Sequence, residues 1–228
     1  MIVIADSRIP NAAKKPLATL AEPLWLKPQP MVYPSIAAHP DLFFCPTKSG
    51  LVVAPELLKQ WTKTLTKNGV KHIQGSVNLA AKYPQTAIYN AVATASLLIH
   101  NLRYTAPEIL NQYPVEQQIK VAQAYARCNL IALDEDHFIT SDQGIRAALQ
   151  QLNKTVLYID PKQIKLAGHP YGFFGGCCGI LGKQLVICGD PEFLKENASL
   201  CAFTAKSGFT IKPLFYGPPA DVGSLLFL

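Results

Sequence analysis

No stretch of this chain is both long and apolar enough to cross a membrane. The nearest candidate, Gly168 to Gly189, holds seven glycines, a lysine and a glutamine, and reads as hairpin strands. The opening Met-Ile-Val-Ile-Ala-Asp has no basic segment followed by a long apolar run, so no secretory signal is expected and the chain is expected to be cytoplasmic. The six cysteines include no two-residue spacing with a second cysteine or histidine pair, which leaves the zinc reading without its pattern. No metal and no cofactor are expected. No aromatic–basic motif of the RNA-binding type accompanies Lys59, Lys63, Lys67 and Lys71, whose four-residue spacing reads as a solvated face. Nucleic acid is therefore not expected as a partner, despite a net charge of +6. No linker breaks the chain either, because proline and glycine are spread throughout. The 49% apolar content excludes disorder. What remains is one domain over residues 1–228, long enough for a large core, with reduced cysteines. Cys45, Cys188 and Cys201 read as core. The adjacent Cys177 and Cys178 could form a strained vicinal disulfide or bind metal.

What the chain does contain is a repeat. Five times a small polar or thiol residue precedes an apolar strand, a turn and a second apolar strand. The starting residues are Asp41, Asn90, Cys128, Cys177 and Asp221. Three units continue plainly into a helix and a third strand. Pro55 opens a helix whose face is Leu57, Leu58, Trp61 and Leu65, with Asn68-Gly69 as its stop. Ser141 or Asp142 caps a helix with Ile145, Ala148, Leu149 and Leu152 in its stripe. Asp190-Pro191 starts another, ended by Ser207-Gly208, and Phe209 to Leu214 follows as a strand. A shorter version runs from Thr105-Ala106-Pro107 through Tyr113-Pro114 to a strand at Gln118 to Val121. The fifth unit runs off the C-terminus after Asp221 to Leu228, and its missing strand stands at the other end, in Ile2 to Ala5. A helix at Lys14 to Glu22, broken by Pro16, belongs to the same unit. The Pro-rich stretches 23–40 and 213–219 read as connections. Regular self-similarity on this scale means stacked supersecondary units. A unit split across the termini predicts a closed ring, an α/β propeller of five pseudosymmetric units that leaves no exposed edge. The alternative is an ordinary α/β sandwich with similar hairpins.

The five starting residues would converge at one end of the ring. Two acids, an amide and two thiols suit a pocket for a polar or cationic ligand better than they suit packing. Asp and Asn also favour turns, but cysteine has no such preference.

Several segments resemble a known fold family. These are Asp6-Ser7-Arg8-Ile9-Pro10, His39-Pro40-Asp41, Tyr89-Asn90, Gln123 through Cys128, Ile139 through Asp142, and Gly172-Phe173-Phe174-Gly175-Gly176. With the fivefold unit, they are similar to the pentein, or guanidino-group-modifying, α/β propeller, and to an uncharacterised bacterial family of that fold. The fold includes deiminases, amidinotransferases, dimethylarginine hydrolases and a non-enzymatic ribosome anti-association factor. The resemblance implies a cysteine nucleophile, a histidine in a His-x-Asp segment and acids that grip a guanidinium. By ring position it implies Cys128 as nucleophile, His39 as acid/base, and Asp41 and Asp221 as carboxylates holding the cation. Asp6, Arg8, Asn90, Asp142 and Cys177 are then expected to bind substrate, and Cys177 is a rival nucleophile with His169 eight residues before it. The chain departs from those enzymes in two respects. Their cysteine lies near the C-terminus, so the units here would be circularly permuted. Their Gly-Gly-Asp or Gly-Gly-Asn segment is replaced by Gly175-Gly176-Cys177. Three functions follow: an enzyme acting on a guanidine or amidine through an axial pocket, a small-molecule-binding protein with the same pocket and no chemistry, and a ribosome-associated pentein. For the enzyme, a Cys128 thiol titrating below the free value of about 8.5 is expected.

Overall fold

The computed structural model describes residues 1–228. The chain begins with β1 (Ile2–Asp6), helix α1 (Asn11–Leu20) and β2 (Glu22–Leu26), with the two strands parallel. Four units of one design follow. In the first, β3 (Phe44–Thr47) and β4 (Gly50–Val53) form a hairpin, then α2 (Pro55–Lys67) crosses back and β5 (His72–Gln74) lies parallel to β4. The second has β6 (Val92–Ala93), β7 (Leu98–His100), the single turn α3 (Pro107–Leu110) and β8 (Gln118–Lys120). The third opens on a one-turn helix, α4 (Ala126–Asn129), before β9 (Leu130–Ala132), β10 (His137–Thr140), α5 (Gln143–Gln151) and β11 (Thr155–Tyr158). The fourth has β12 (Cys178–Leu181), β13 (Gln184–Ile187), α6 (Asn197–Lys206) and β14 (Thr210–Pro213). The chain ends with β15 (Leu226–Phe227), which pairs antiparallel with β1 through Val3–Phe227 and Ile4–Leu226. Both termini therefore build one sheet, as the split repeat predicts. Every sheet has three strands, an antiparallel inner pair and a parallel outer one.

Local chemistry accounts for the elements. In α2 the residues Leu57, Trp61 and Leu65 are buried on one face, while Lys59, Lys63 and Lys67 are exposed, the solvated face that their spacing predicts. The Asp142 carboxylate caps α5, accepting from the Ile145 N–H at 2.7 Å. The helices lie against the sheets they cross, and the inner strands β3 and β6, β6 and β9, and β12 and β15 are neighbours.

Four expectations need correction. Pro16 does not break its helix; α1 runs from Asn11 to Leu20, because the bond Pro16 cannot make is to the carbonyl of exposed Ala12, which water can satisfy. Residues 23–40 are not only a connection, since all but the first residue of β2 falls in them; Pro23 takes its place in an outer strand, whose far edge asks for no N–H. The helix of the fourth unit starts at Asn197, after a short 3-10 turn at Pro191–Phe193. Cys201 is exposed on α6, whose apolar residues run all round instead of forming a stripe that spacing could reveal. All six cysteines are free thiols.

Candidate functional site

The residues that start the inner strands are not themselves in strands. Asp41 stands on a 3-10 turn at Pro40–Leu42, Cys128 on α4 and Cys177 on a 3-10 turn at Gly175–Cys177. Asn90 and Asp221 lie in the coil ahead of β6 and β15. Leaving the pleat ahead of the strand lets Asp41, Asn90, Cys128 and Asp221 turn toward the common end of the inner strands, whereas Cys177 turns into an apolar cluster. Six of the buried polar residues collect at that end: Asp6, His39, Asp41, Asn90, Asp221 and Ser224.

Cys128 is the centre of the arrangement. Its Sγ donates to Asp41 Oδ2 at 3.2 Å. Asn90 donates from Nδ2 to the same sulfur at 3.2 Å and to the Asp41 carbonyl at 3.1 Å. The other face of that amide accepts from the backbone N–H of Arg127 at 2.9 Å and of Cys128 at 3.2 Å. Asn90 thus spends its side chain fixing the thiol, the turn that carries it and the turn that carries Asp41. Ser224 donates from Oγ to Asp41 Oδ2 at 2.9 Å, leaving Oδ1 of that carboxylate buried and unpartnered. Asp221 accepts from the N–H of Phe173 at 2.9 Å and of Gly223 at 3.1 Å, and its Oδ1 lies 3.8 Å from Nδ1 of His39. In the Gly172–Gly176 segment, Gly172 and Gly176 make room for Asp221, and Gly175 makes room for the backbone of the Cys128 turn. A Cβ on Gly176 would lie 2.0 Å from Asp221 Oδ1. Gly223, at φ +71°, presses so closely on His39 that a Cβ there would lie 2.2 Å from the histidine Cβ.

A cavity of about 300 Å³ opens above these groups. Cys128, His39 and Asp221 line it directly, with an aromatic and aliphatic wall that includes Tyr33, Tyr125 and Phe173. The Tyr33 and Tyr125 hydroxyls are 3.0 Å apart. Asp41 and Asn90 sit immediately behind the thiol. Asp6 and Arg8 line a small adjoining cavity of about 130 Å³ that shares His39 and Asp221. Arg8 is already committed there: its guanidinium pairs with Asp6 at 2.8 Å and donates to the carbonyls of Pro34 at 2.6 Å and Ser35 at 3.1 Å. It straps the 34–36 turn to β1 and has little left for a substrate. Two expected residues are not brought in. Asp142 caps α5, as described above. Cys177 is fully buried in an apolar cluster with Phe174, Cys178 and Ile187, and its Sγ faces only the Phe173 carbonyl at 3.4 Å.

Burial sets the protonation of the site. It pushes Asp41 and Asp221 each up to about 6. It holds His39 below the usual histidine range, opposed by the Asp221 carboxylate. The Cys128 thiol is pushed well above its ordinary value, first by burial and then by the charges of Asp41 and Asp221. The expectation of a low-titrating thiol in the free protein is therefore overturned, because the thiol faces acids and a neutral imidazole instead of a cation. A cation in the cavity would reverse that balance, since it stabilises the thiolate and both carboxylates together. Sequence reasoning missed Ser224, Tyr33 and Tyr125. None of the three carries a signal in the sequence; Ser224 is set apart only in the structure, by a φ of +66° in a residue other than glycine.

The fold is that of the penteins. An amidinotransferase from Microseira wollei in the saxitoxin biosynthetic pathway superposes with a TM-score of 0.55 at 12% identity, over 97% of this chain and 93% of that one. A mutant DDAH from Pseudomonas aeruginosa complexed with citrulline gives 0.53 at 10% identity, over 93% and 91%. A dimethylarginine dimethylaminohydrolase in an adduct with S-methyl-L-thiocitrulline gives 0.54 at 9% identity, again over 93% and 91%. These neighbours are guanidino-group-modifying hydrolases and transferases. The chain itself belongs to the family of unknown function DUF6873, which matches residues 4–226. No curated protein matches it in sequence. No helix is long and apolar enough to cross a membrane.

Proposed function

We propose that the chain is a cysteine-dependent enzyme acting on a small guanidine or amidine, as a hydrolase or an amidinotransferase, and that its five units close into a propeller around the pocket. One observation carries the reading: the Cys128 thiol, the His39 imidazole and the Asp221 carboxylate line one cavity, with Asp41 bonded to the thiol behind them and no lysine or arginine on the wall. Asp221 takes the planar cation, with Asp41 behind it, and the aromatic wall covers its faces. Asp41 draws on the Cys128 proton through its hydrogen bond, and the bound cation makes the thiolate accessible. The sulfur then forms a bond to the guanidinium carbon. As the bound cation lowers the proton affinity of Asp41, that proton passes through water in the cavity to the neutral His39. When the C–N bond to the leaving amine breaks, the imidazolium delivers it to the departing nitrogen, so the thiol proton leaves with the amine. The thiouronium left on Cys128 is released by water, giving a urea and the free thiol, or by a second amine, giving a new guanidine.

Chloroacetamidine and chloroacetamide test this reading, because they differ in charge and little in size. The cationic reagent should alkylate Cys128 faster by about tenfold or more, while exposed Cys201 shows no such preference. Equal rates at Cys128 remove the cation-binding pocket from the reading. A second reading, a binding protein without chemistry, draws on the protonated resting thiol. Guanidine binding that survives Cys128→Ala, with no turnover in the wild type, would favour it. A ribosome-associated role has only the exposed lysines of α2 in its support.

A further inference from the structure

The C-terminal halves of the same inner strands enclose a second cavity, of about 310 Å³. All five inner strands contribute to it, with Pro46 from β3, Val92 from β6, Ala132 from β9, Ile180 from β12 and Phe227 from β15. Arg127 lines it too, although its backbone stands beside Cys128 at the other end. Its side chain therefore runs along the inside of the inner strands, away from the thiol. Its Nε is buried and has no hydrogen-bond partner, and no carboxylate forms an ion pair with its guanidinium. Arg127 is partly buried and feels the Asp41 charge on the thiol side, but its buried Nε–H still lacks an acceptor, so a bound anion would gain from it.

The other charged groups on this cavity are Asp134 and Glu135, in the turn after β9. Both are oriented by donors of the protein. Asp134 accepts from the N–H groups of Asp136 and His137, each at 2.8 Å, and from His137 Nδ1 at 3.0 Å. Glu135 accepts from Thr94 Oγ1 at 2.7 Å, from the Ala95 N–H at 2.9 Å and from Ser96 Oγ. A plain anion entering here meets two carboxylates, and a plain cation meets Arg127. A ligand carrying both signs supplies the acceptor that Arg127 lacks and places its positive end in the field of the two oriented carboxylates, and the apolar surface of Ile180, Leu225 and Phe227 asks for an apolar remainder.

We propose that this cavity binds a small zwitterion of amino-acid type, its carboxylate on Arg127, its ammonium facing Asp134 and Glu135, and its apolar side chain against β12 and β15. The proposal is independent of any chemistry at Cys128. L-Leucine, 4-methylpentanoate and isoamylamine form a matched set that removes one charge at a time. Binding is read from NMR shifts of the Ala95, Glu135 and Ile180 amides, which separates this cavity from the one above Cys128. Leucine should bind saturably, 4-methylpentanoate about tenfold more weakly, and isoamylamine should not saturate these amides. Arg127→Met should abolish leucine binding. Glu135→Gln should weaken leucine and strengthen 4-methylpentanoate, because it removes an ammonium partner and a like charge at once. Should Arg127→Met fail to fold, the opposite responses of the two ligands to Glu135→Gln still decide the matter. Equal shifts from all three ligands, no saturation by about 10 mM leucine, or both ligands responding alike to Glu135→Gln would overturn the proposal.

Discussion

Cys128 and Cys177 lie in corresponding turns of consecutive units, but one residue out of step: Asn129 separates Cys128 from β9, whereas Cys177 directly precedes β12. Their surroundings nevertheless differ completely. Cys128 borders a cavity and donates to a carboxylate, while Cys177 is packed among apolar side chains and faces a backbone carbonyl. The preceding residue differs too. Arg127 sends a long side chain toward the far end of the inner strands, whereas Gly176 leaves the space that the Asp221 carboxylate fills. Burial raises both thiols, so exposure alone does not separate them. What separates them is the partner. An acid beside a thiol gives its proton somewhere to go when a cation arrives, and a carbonyl does not.

Four measurements break or sharpen this contrast. The largest effect is expected in cation-directed alkylation. In a Cys201→Ser background, Cys128→Ser should lower the incorporation of chloroacetamidine by about a hundredfold or more, while Cys177→Ser leaves it within about twofold. Peptide mapping reads both, and labelling that moves to Cys177 would exchange the roles of the two units.

Next comes Gly176→Ala. The new methyl collides with Asp221 Oδ1, so the variant should lose about 2–4 kcal/mol in urea denaturation and lose its preference for the cationic reagent. A variant as stable as the wild type would show that the glycine is not needed to hold this carboxylate.

Asp41→Asn tests the acid at Cys128. Because burial raises Asp41 from 3.8 to about 6, the folded protein holds that proton more tightly than the unfolded chain. Stability should therefore fall as pH rises from about 4 to 6, and the full cost, on the order of 2–3 kcal/mol, is present above pH 6. Asn carries no charge to bury. Asp41→Asn should be more stable than the wild type at pH 7.5 and converge with it below about pH 4, while its Cys128 alkylation slows. A gain that persists at pH 4 would assign the effect to packing instead of charge.

The smallest effect is expected for Cys177→Ala. It deletes a buried sulfur from an apolar cluster and should cost about 1–2 kcal/mol, with no change in the pH dependence of labelling at Cys128. A pH-dependent change would mean that the two thiols are coupled.

Much of the fold is legible in the sequence because its cues are local. The stripe of Leu57, Trp61 and Leu65, the cap at Asp142 and the proline that opens α2 each act within one or two turns of chain. The split unit was legible because two apolar strands at opposite ends complete one pattern, and their pairing bears it out. Pro16 and β2 were misread where the cue depends on surroundings. A proline breaks a helix less when water can satisfy the freed carbonyl, and an outer strand tolerates a proline that an inner one would not.

The site was legible only as a set of candidates. Cys128, His39, Asp41, Asn90 and Asp221 were named from their places in the repeat, and the structure gathers them at one end of the inner strands. Sequence position could not divide Cys128 from Cys177, nor show that Asp142 is spent on a cap and Arg8 on a strap. Those outcomes depend on contacts between residues remote in the chain: Cys128 meets Asp41 across 87 residues, and Ser224 meets it across 183. The repeating unit and most of its hairpins are set by the order of residues alone, because hydrogen bonding and hydrophobic periodicity act between near neighbours. Only the tertiary structure decided which thiol faces a cavity and which way each group's proton affinity moves, because desolvation and Coulomb energy are set by whatever packs nearby in space.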